Sequence, residues 1–479
     1  MLIAAIAASA FPASVGANVT AARSKETYHP RRGLTLQTIR YADGPVQVRV
    51  LAFTPKPKAR GYTVETGISG PVITSHTTPS SIGAELDAVA AMNGDFSING
   101  QPAHFNAVDG DIRTDGLMNG AGFAISRDEK FAWTGHTKPS INVDYRGGSF
   151  RIDHWNGDDR EGPGGPVLGE ITAYTKDGGT KQKPDEDACS VRLINPTLRR
   201  WSNENRTAMS RTWQIGQKAC QHDPLTVGDD PGNVVLNSRQ TGVGADALKA
   251  LPANGEVTVS WKLGGWPGIL DVIGAQPSVV KDGVNVGPAQ TTGSSYFYKD
   301  NPRTAIGITE GCSDRSTTTV CRVIYMVVDG RREGWSVGMT LKELGEEMLR
   351  AGAYNAVNID GGGSSAMWLN DKGPWCLSET NGGCLVSKPA YDVERATLTS
   401  MLLLQGRDAN EPAIGDATSV ASVWSTSLGM ADDTSQDWDR LALMDPGSTG
   451  GLLDALDEKG ALPDGFERYL KIYQAGPSA

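Results

Sequence analysis

Between Val323 and Asp360 the sequence spells out two apolar strands around one capped helix, and no other stretch limits the fold so tightly. Val323-Ile324-Tyr325-Met326-Val327-Val328 is an unbroken apolar run and reads as a buried strand. Thr340-Leu341-Lys342-Glu343 has the T-x-x-E form of a capping box. Leu341, Leu344 and Met348 then recur at helical spacing, and Gly352 is placed to end the helix. The next strand, Ala356-Val357-Asn358-Ile359, delivers Asp360 to its C-terminal mouth, where α/β units gather ligand-binding groups. Gly361, Gly362, Gly363, Ser364 and Ser365 follow directly. Consecutive glycines let main-chain N–H groups turn toward one point and form a concave cradle for an anion. An acid beside such a cradle points to a sugar, a phosphate, or both; a plain tight turn is the competing reading.

The rest of the chain sets limits on that site. At 479 residues there is length for two or three average domains, or for one large β-rich domain with insertions. A formal net charge of −10 argues against nucleic-acid or anionic-membrane partners, which call for clustered Lys and Arg. It leaves room for a small anionic substrate held by one or two local arginines. The run from Met1 to Phe11 is apolar and too short to span a bilayer. Small residues from Ala13 to Ala22 suit a cleavage region, so residues 1–22 read as a secretory signal, although no Lys or Arg precedes the apolar run. No later run is long enough for an integral membrane segment. The expected location is secreted or extracytoplasmic.

Six cysteines agree with export. Sequential pairing, Cys189–Cys220, Cys312–Cys321 and Cys376–Cys384, is the simplest connectivity, and each cysteine lies near turn residues rather than beside a histidine cluster. Structural disulfides are therefore expected instead of zinc, with no metal site and no cofactor. Asp-rich turns leave a structural calcium open, but no twelve-residue EF-hand loop occurs.

Val46-Gln47-Val48-Arg49-Val50-Leu51-Ala52-Phe53 opens the ordered part with largely period-two strand character. A helix is expected over Ser80–Ala91, leading into Asn93-Gly94-Asp95-Phe96. Residues 176–235 are polar, with Lys/Asp/Gly runs and one cysteine pair, and read as an insertion or long loop stapled on itself. Residues 407–479 form an acidic C-terminal extension rich in Asp, Ser and Ala, without a catalytic pattern.

Several familiar motifs do not fit. The six histidines are scattered and no H-E-x-x-H occurs. The glycine run lacks the lysine of a P-loop, and no convincing helix follows it, as dinucleotide binding requires. Gly334-Trp335-Ser336-Val337-Gly338 matches G-x-S-x-G, yet Ser336 lies several residues beyond the strand that a nucleophile elbow would need. Carboxylates, arginines and glycine turns remain.

Five segments combine these. They are Asn93-Gly94-Asp95-Phe96, Arg303-Thr304-Ala305-Ile306-Gly307, Val328-Asp329-Gly330-Arg331, Asn358 to Ser365, and Lys388 to Arg395. In this order, over roughly residues 36–405, they resemble the phosphodiester glycosidase family, most strongly from Arg303 to Ser365. Gly274-Ala275-Gln276-Pro277 resembles the family's glycine-proline turn. The expected architecture is α+β: a mixed, β-sheet-rich single catalytic domain over 36–405 with flanking helices, the disulfide-stapled insertion and the C-terminal extension.

The resemblance implies a secreted hydrolase that cleaves a sugar 1-phosphodiester at the glycosidic bond, releasing free sugar and a phosphomonoester. Such a site needs compensation of phosphate charge and a carboxylate to stabilise an oxocarbenium-like centre or activate water. Arg303 and Arg395 are then expected to bind the phosphate, and Gly361, Gly362, Gly363 and Ser364 to present N–H groups to it. Asp360 and Asp95 lead as catalytic carboxylates, with Glu394 third. Asn93 and Asn358 would orient hydroxyls, with Gly94 between Asn93 and Asp95 also lining the substrate site. Asp329 reads equally well as a turn carboxylate. Two other readings share the equipment: an exo-acting glycoside hydrolase on a bacterial wall or capsule polymer, and a non-catalytic carbohydrate-binding protein. In each the partner is a glycan or sugar-phosphate.

Overall fold

The computed structural model describes residues 23–405 except for short internal stretches, the longest being 158–168, 179–187, 289–297 and 314–319. The signal-like segment 1–22 and the extension 407–479 lie outside the described residues. The α+β expectation holds only in outline, because the chain is mainly β, half strand and about a tenth helix. The sheets are also not mixed in the expected sense. Every described strand pair is antiparallel except His154–Trp155 against Thr172–Ala173.

An eight-stranded sheet carries the unit that the sequence defined best. Val323–Val328 and Asn355–Ile359 run parallel to one another, but they are not neighbours. Arg303–Ile308 lies between them, antiparallel to both. The helix Leu341–Arg350 makes the crossover, and its capping box forms as the sequence predicts: Thr340 accepts from the Glu343 N–H while the Glu343 side chain accepts from the Thr340 N–H. The apolar run at 323–328 is explained by burial on both faces. Tyr325 and Val327 enter the central core, whereas Ile324 and Met326 pack toward Leu341, Leu344 and Met348 of the helix.

A six-stranded sheet, with Ala90–Asn93 between Met367–Leu369 and Thr399–Gln405, shares that central core. The helix before it spans Pro79–Glu85, shorter than expected, because Ala90 already belongs to the strand. A five-stranded sheet closes the core through alternate residues. Phe123, Ile125 and Ile273 face inward, while Ala124 and Val272 face a second core under a nine-stranded sheet.

That nine-stranded sheet takes strands from the polar region 176–235 that reads in sequence as an insertion or long loop, so the long-loop alternative does not hold. Ala188–Ile194 and Met209–Ala219 pair with each other and with the strands that follow. Val191, Leu193, Trp213 and Ile215 supply their buried face. Polar residues at the alternate positions masked this pattern in the sequence. Cys189 and Cys220 are bonded across these two strands, and Cys312–Cys321 and Cys376–Cys384 also form, as expected.

Candidate functional site

The antiparallel pairings bring the predicted segments to one rim. Arg303 opposes Val328, and Thr304 opposes Ile359, so the start of one strand meets the ends of two others. In the neighbouring sheet Ser400 opposes Asn93, which brings the turn after Ala90–Asn93 to the same place. Hydrogen bonds join the two sheets there. The Asp360 N–H donates to the Gly94 carbonyl at 3.0 Å, and the Asn93 amide donates to the Asp360 carbonyl at 2.6 Å. Asn93 Oδ1 accepts from the Thr304 hydroxyl at 2.8 Å and from the Ala366 N–H at 3.2 Å. Asn93 thus fixes the backbone that carries Asp360. Gly94 has a steric reason to be glycine: a Cβ there would stand 2.5 Å from Thr399 Oγ1 and 2.6 Å from the Ile273 side chain.

Asp95 is buried, and its oxygens are occupied. Oδ1 accepts from the Phe96 N–H at 2.8 Å and meets His104 Nδ1 at 2.6 Å. Oδ2 accepts from the His104 N–H at 2.8 Å and from the Asn106 amide at 3.1 Å. Asp360 differs. It is only half-buried, at the open end of the site, and its carboxyl is pushed up to about 6. Loss of hydration is the main cause, with Asp95 adding repulsion, while the Ser364 hydroxyl, Arg395 and the Gly361 N–H oppose it.

The glycine turn is where two guanidinium groups settle. Gly362 has φ +62, and a Cβ there would lie 2.7 Å from Arg331 Nη2. One on Gly363 would collide with the Arg395 guanidinium. Without side chains, the turn allows both arginines to approach beside Asp360. Arg331 is steadied by Asn301 Oδ1, which accepts from its Nε and Nη2 at 3.1 Å each, and by a 3.3 Å contact with the Tyr391 hydroxyl. The sequence held a signal for it. Asp329-Gly330-Arg331 leaves a strand at the same rim as Asp360-Gly361, so the arginine follows an acid and a glycine there.

The other predicted residues stand around this mouth in different ways. Arg303 is buried, and its guanidinium donates to the carbonyls of Met339 at 2.9 Å and Lys299 at 2.7 Å. Asn358 is buried too; its amide donates to the Gln276 carbonyl at 2.7 Å, and its Oδ1 has no hydrogen-bond partner among the described residues. Glu394 faces the helix Pro79–Glu85, accepting from the Ser80 N–H at 2.9 Å and from the Ser80 hydroxyl. Burial raises its pKa. Asp329 is buried, with its pKa also raised by burial, and it ties two loops together. Trp335 Nε1 donates to one oxygen and the Lys388 N–H to the other, each at 2.9 Å. Arg332 completes the clasp through the Pro389 carbonyl and Asp392. His104, Asn106 and Thr399 hydrogen-bond Asp95 directly and carry no motif that the sequence alone reveals.

Among the described residues no three His, Cys, Asp or Glu side chains converge as a metal-binding group. No helix among them is long and apolar enough to cross a membrane.

Known proteins resemble this chain to different degrees. A hypothetical protein from Synechocystis shares the fold at 18% identity and a TM-score of 0.56, covering 79% of this chain; the chain spans 63% of that protein's length. A Burkholderia pseudomallei protein whose name calls it exported aligns at 18% identity and a TM-score of 0.51, over 76% of this chain and 75% of its own. The catalytic domain of zebrafish N-acetylglucosamine-1-phosphodiester α-N-acetylglucosaminidase gives a weaker likeness: 13% identity and a TM-score of 0.38, over 82% of this chain and 87% of its own. No curated protein matches in sequence. The family comparison is the specific one. It covers Arg303, Arg331, the glycine turn and Arg395: residues 221–404 of this chain match the model of the phosphodiester glycosidase family.

Proposed function

We propose that this protein hydrolyses the bond between a sugar's anomeric carbon and a phosphodiester oxygen, as on an N-acetylglucosamine-1-phosphodiester, releasing free sugar and a phosphomonoester. One observation carries the reading: a half-buried carboxyl with a raised pKa lies beside a glycine turn on which two guanidinium groups converge. The family match supports the reaction class.

The division of labour follows from the chemistry. A phosphomonoester is a good leaving group, because its second pKa lies near neutrality, so strong acid assistance is unnecessary. As the C1–O bond breaks, its electron pair goes to the phosphate oxygen, and Arg331 and Arg395 stabilise the growing charge with planar, bidentate donors. Ionised Asp360 supports the oxocarbenium-like centre and takes the proton of the water that adds to C1. Asp95 acts from behind as a fixed charge. Arg303, committed to two carbonyls, supports the loop at the mouth instead of holding phosphate. Asn93, Asn358 and Glu394 likewise position the backbone and the loop that carries Arg395. The three disulfides, together with the exported relative, support an extracytoplasmic location.

Phosphodiester-linked and alkyl-linked glycosides of one sugar separate this reading from an ordinary glycoside hydrolase. The first should turn over at least tenfold faster. Asp360→Asn should cut that turnover by about a hundredfold or more in a folded protein, the scale of lost acid/base catalysis. Equal rates on both substrates would remove the phosphate from the proposal, and unchanged rates in the variant would remove Asp360.

A further inference from the structure

His104 lies against Asp95 and is almost completely buried. Its Nδ1 is 2.6 Å from Asp95 Oδ1, and its own N–H donates to Oδ2 of the same carboxylate. Nε2 faces the Gln276 side chain without a well-formed hydrogen bond. Gln276 is in turn clasped to the strand that delivers Asp360. Its N–H donates to the Asn358 carbonyl at 2.9 Å, and its carbonyl accepts from the Asn358 amide. The surroundings hold the ring in place. The Phe96 ring meets it edge-on at 5.9 Å, Gly120 packs on the ring, Gly116 on the His104 backbone and Gly274 on the His104 Cβ, each so closely that a Cβ there would clash.

We propose that His104 is a positioning residue for Asp360: its imidazole, clasped by Asp95 and backed by Gln276, sets how much of the Asp95 charge is felt at the mouth. The proposal deepens the hydrolytic reading, since it concerns the proton affinity of the same carboxyl.

The charges near the pair are few. Asp360 faces Asp95 and Arg395, and the Arg331 guanidinium lies against the same glycine turn. His104 faces Asp95 alone; Asn106 brings an uncharged amide, and the packed glycines bring nothing ionic. The nearest carboxylate on the loop above, Asp115, is turned to His154 and the Trp155 N–H. Burial disfavours the imidazolium, but the hydrogen bond and charge of Asp95, with Gln276, outweigh it and raise the His104 pKa. Near pH 6 the imidazolium therefore screens Asp95. Loss of that cation leaves an unscreened carboxylate, still held by three N–H donors, and Asp360 binds its proton more tightly. The charge on His104 and the proton on Asp360 are then coupled through the carboxylate between them.

The carboxyl of Asp360 can be followed by carbon-13 NMR in aspartate-labelled protein, with Asp360→Asn giving the assignment. His104→Asn retains an amide donor toward Asp95 without the charge. It should raise the Asp360 midpoint by about half a pH unit or more, the shift expected when a neighbouring charge is unscreened. Asp95→Asn should lower it, and adding His104→Asn to Asp95→Asn should change nothing further. An unmoved midpoint, a fall, or the same rise without Asp95 would overturn the proposal. If the variant does not fold, the wild-type curve still decides. The Asp360 signal should show a second inflection at the pH where the His104 ring titrates, and a single inflection would defeat the idea. Because no substrate enters the measurement, its failure leaves the reaction untouched, and failure of the reaction leaves this result standing.

Discussion

In the proposed reaction Asp360 serves chemistry at the expense of stability. Its carboxyl titrates near 3.8 when unfolded and near 6 in the fold. Between those values the native state takes up the proton, so stability falls as pH rises through this window and stays reduced above it. Asp360→Asn should therefore melt higher than wild type at pH 7 while being inactive, with the gap closing near pH 4. Thermal unfolding at the two pH values checks this, and a variant less stable at pH 7 would contradict it. Asp360 was legible in the sequence because the strand and glycines around it are local. Asp95 was legible only through resemblance. Its true neighbours, His104, Asn106 and Thr399, come from separate turns and strands, and no local pattern connects them.

Among the elements, the loops after Val328 and Ile359 act as a matched pair. Each leaves a strand of one sheet at the same edge, and each brings an acid followed by glycine. The Lys388–Arg395 loop is strapped to the first through Asp329, Arg332 and Pro389. This construction separates the three arginines by role. Arg331→Ala and Arg395→Ala should lower kcat/KM on a phosphodiester by about tenfold or more, as for loss of a charge-assisted pair, and affect a neutral glycoside much less. Arg303→Ala should reduce both substrates equally, because its lost partners are carbonyls of the supporting loop. A selective effect of Arg303→Ala would return the phosphate to it. Helix Leu341–Arg350 and the strands beside it could be read in advance, since capping and apolar periodicity are local signals. The antiparallel strand between them could not, because pairing partners 15 to 55 residues apart leave no trace in spacing.

At the scale of the molecule, the largest departure from the sequence reading is the nine-stranded sheet. Its strands from the 176–235 region alternate with polar residues and are separated by turns, so each looked like loop when taken singly. The disulfide pairs, in contrast, followed from proximity in sequence. Removing Cys189–Cys220 by paired serine substitution should cost about 3 kcal/mol, the entropy of freeing a loop of this length. Denaturant unfolding would measure it. Activity at 25 °C should persist, because this sheet meets a core separate from the one beneath Asp360. An inactive but folded variant would show that the nine-stranded sheet shapes the mouth.

The hydrogen bond from Asn93 to the Asp360 carbonyl has a practical corollary. A shortened protein that starts at residue 221 would retain the arginines and the glycine turn but would lack the amide that fastens them, and three strands of the eight-stranded sheet would go with it. The proposed reaction would thus depend on two distant stretches of polypeptide stitched at one point, and trimming to the recognisable half should yield a fragment with exposed apolar edges that lacks the assembled site.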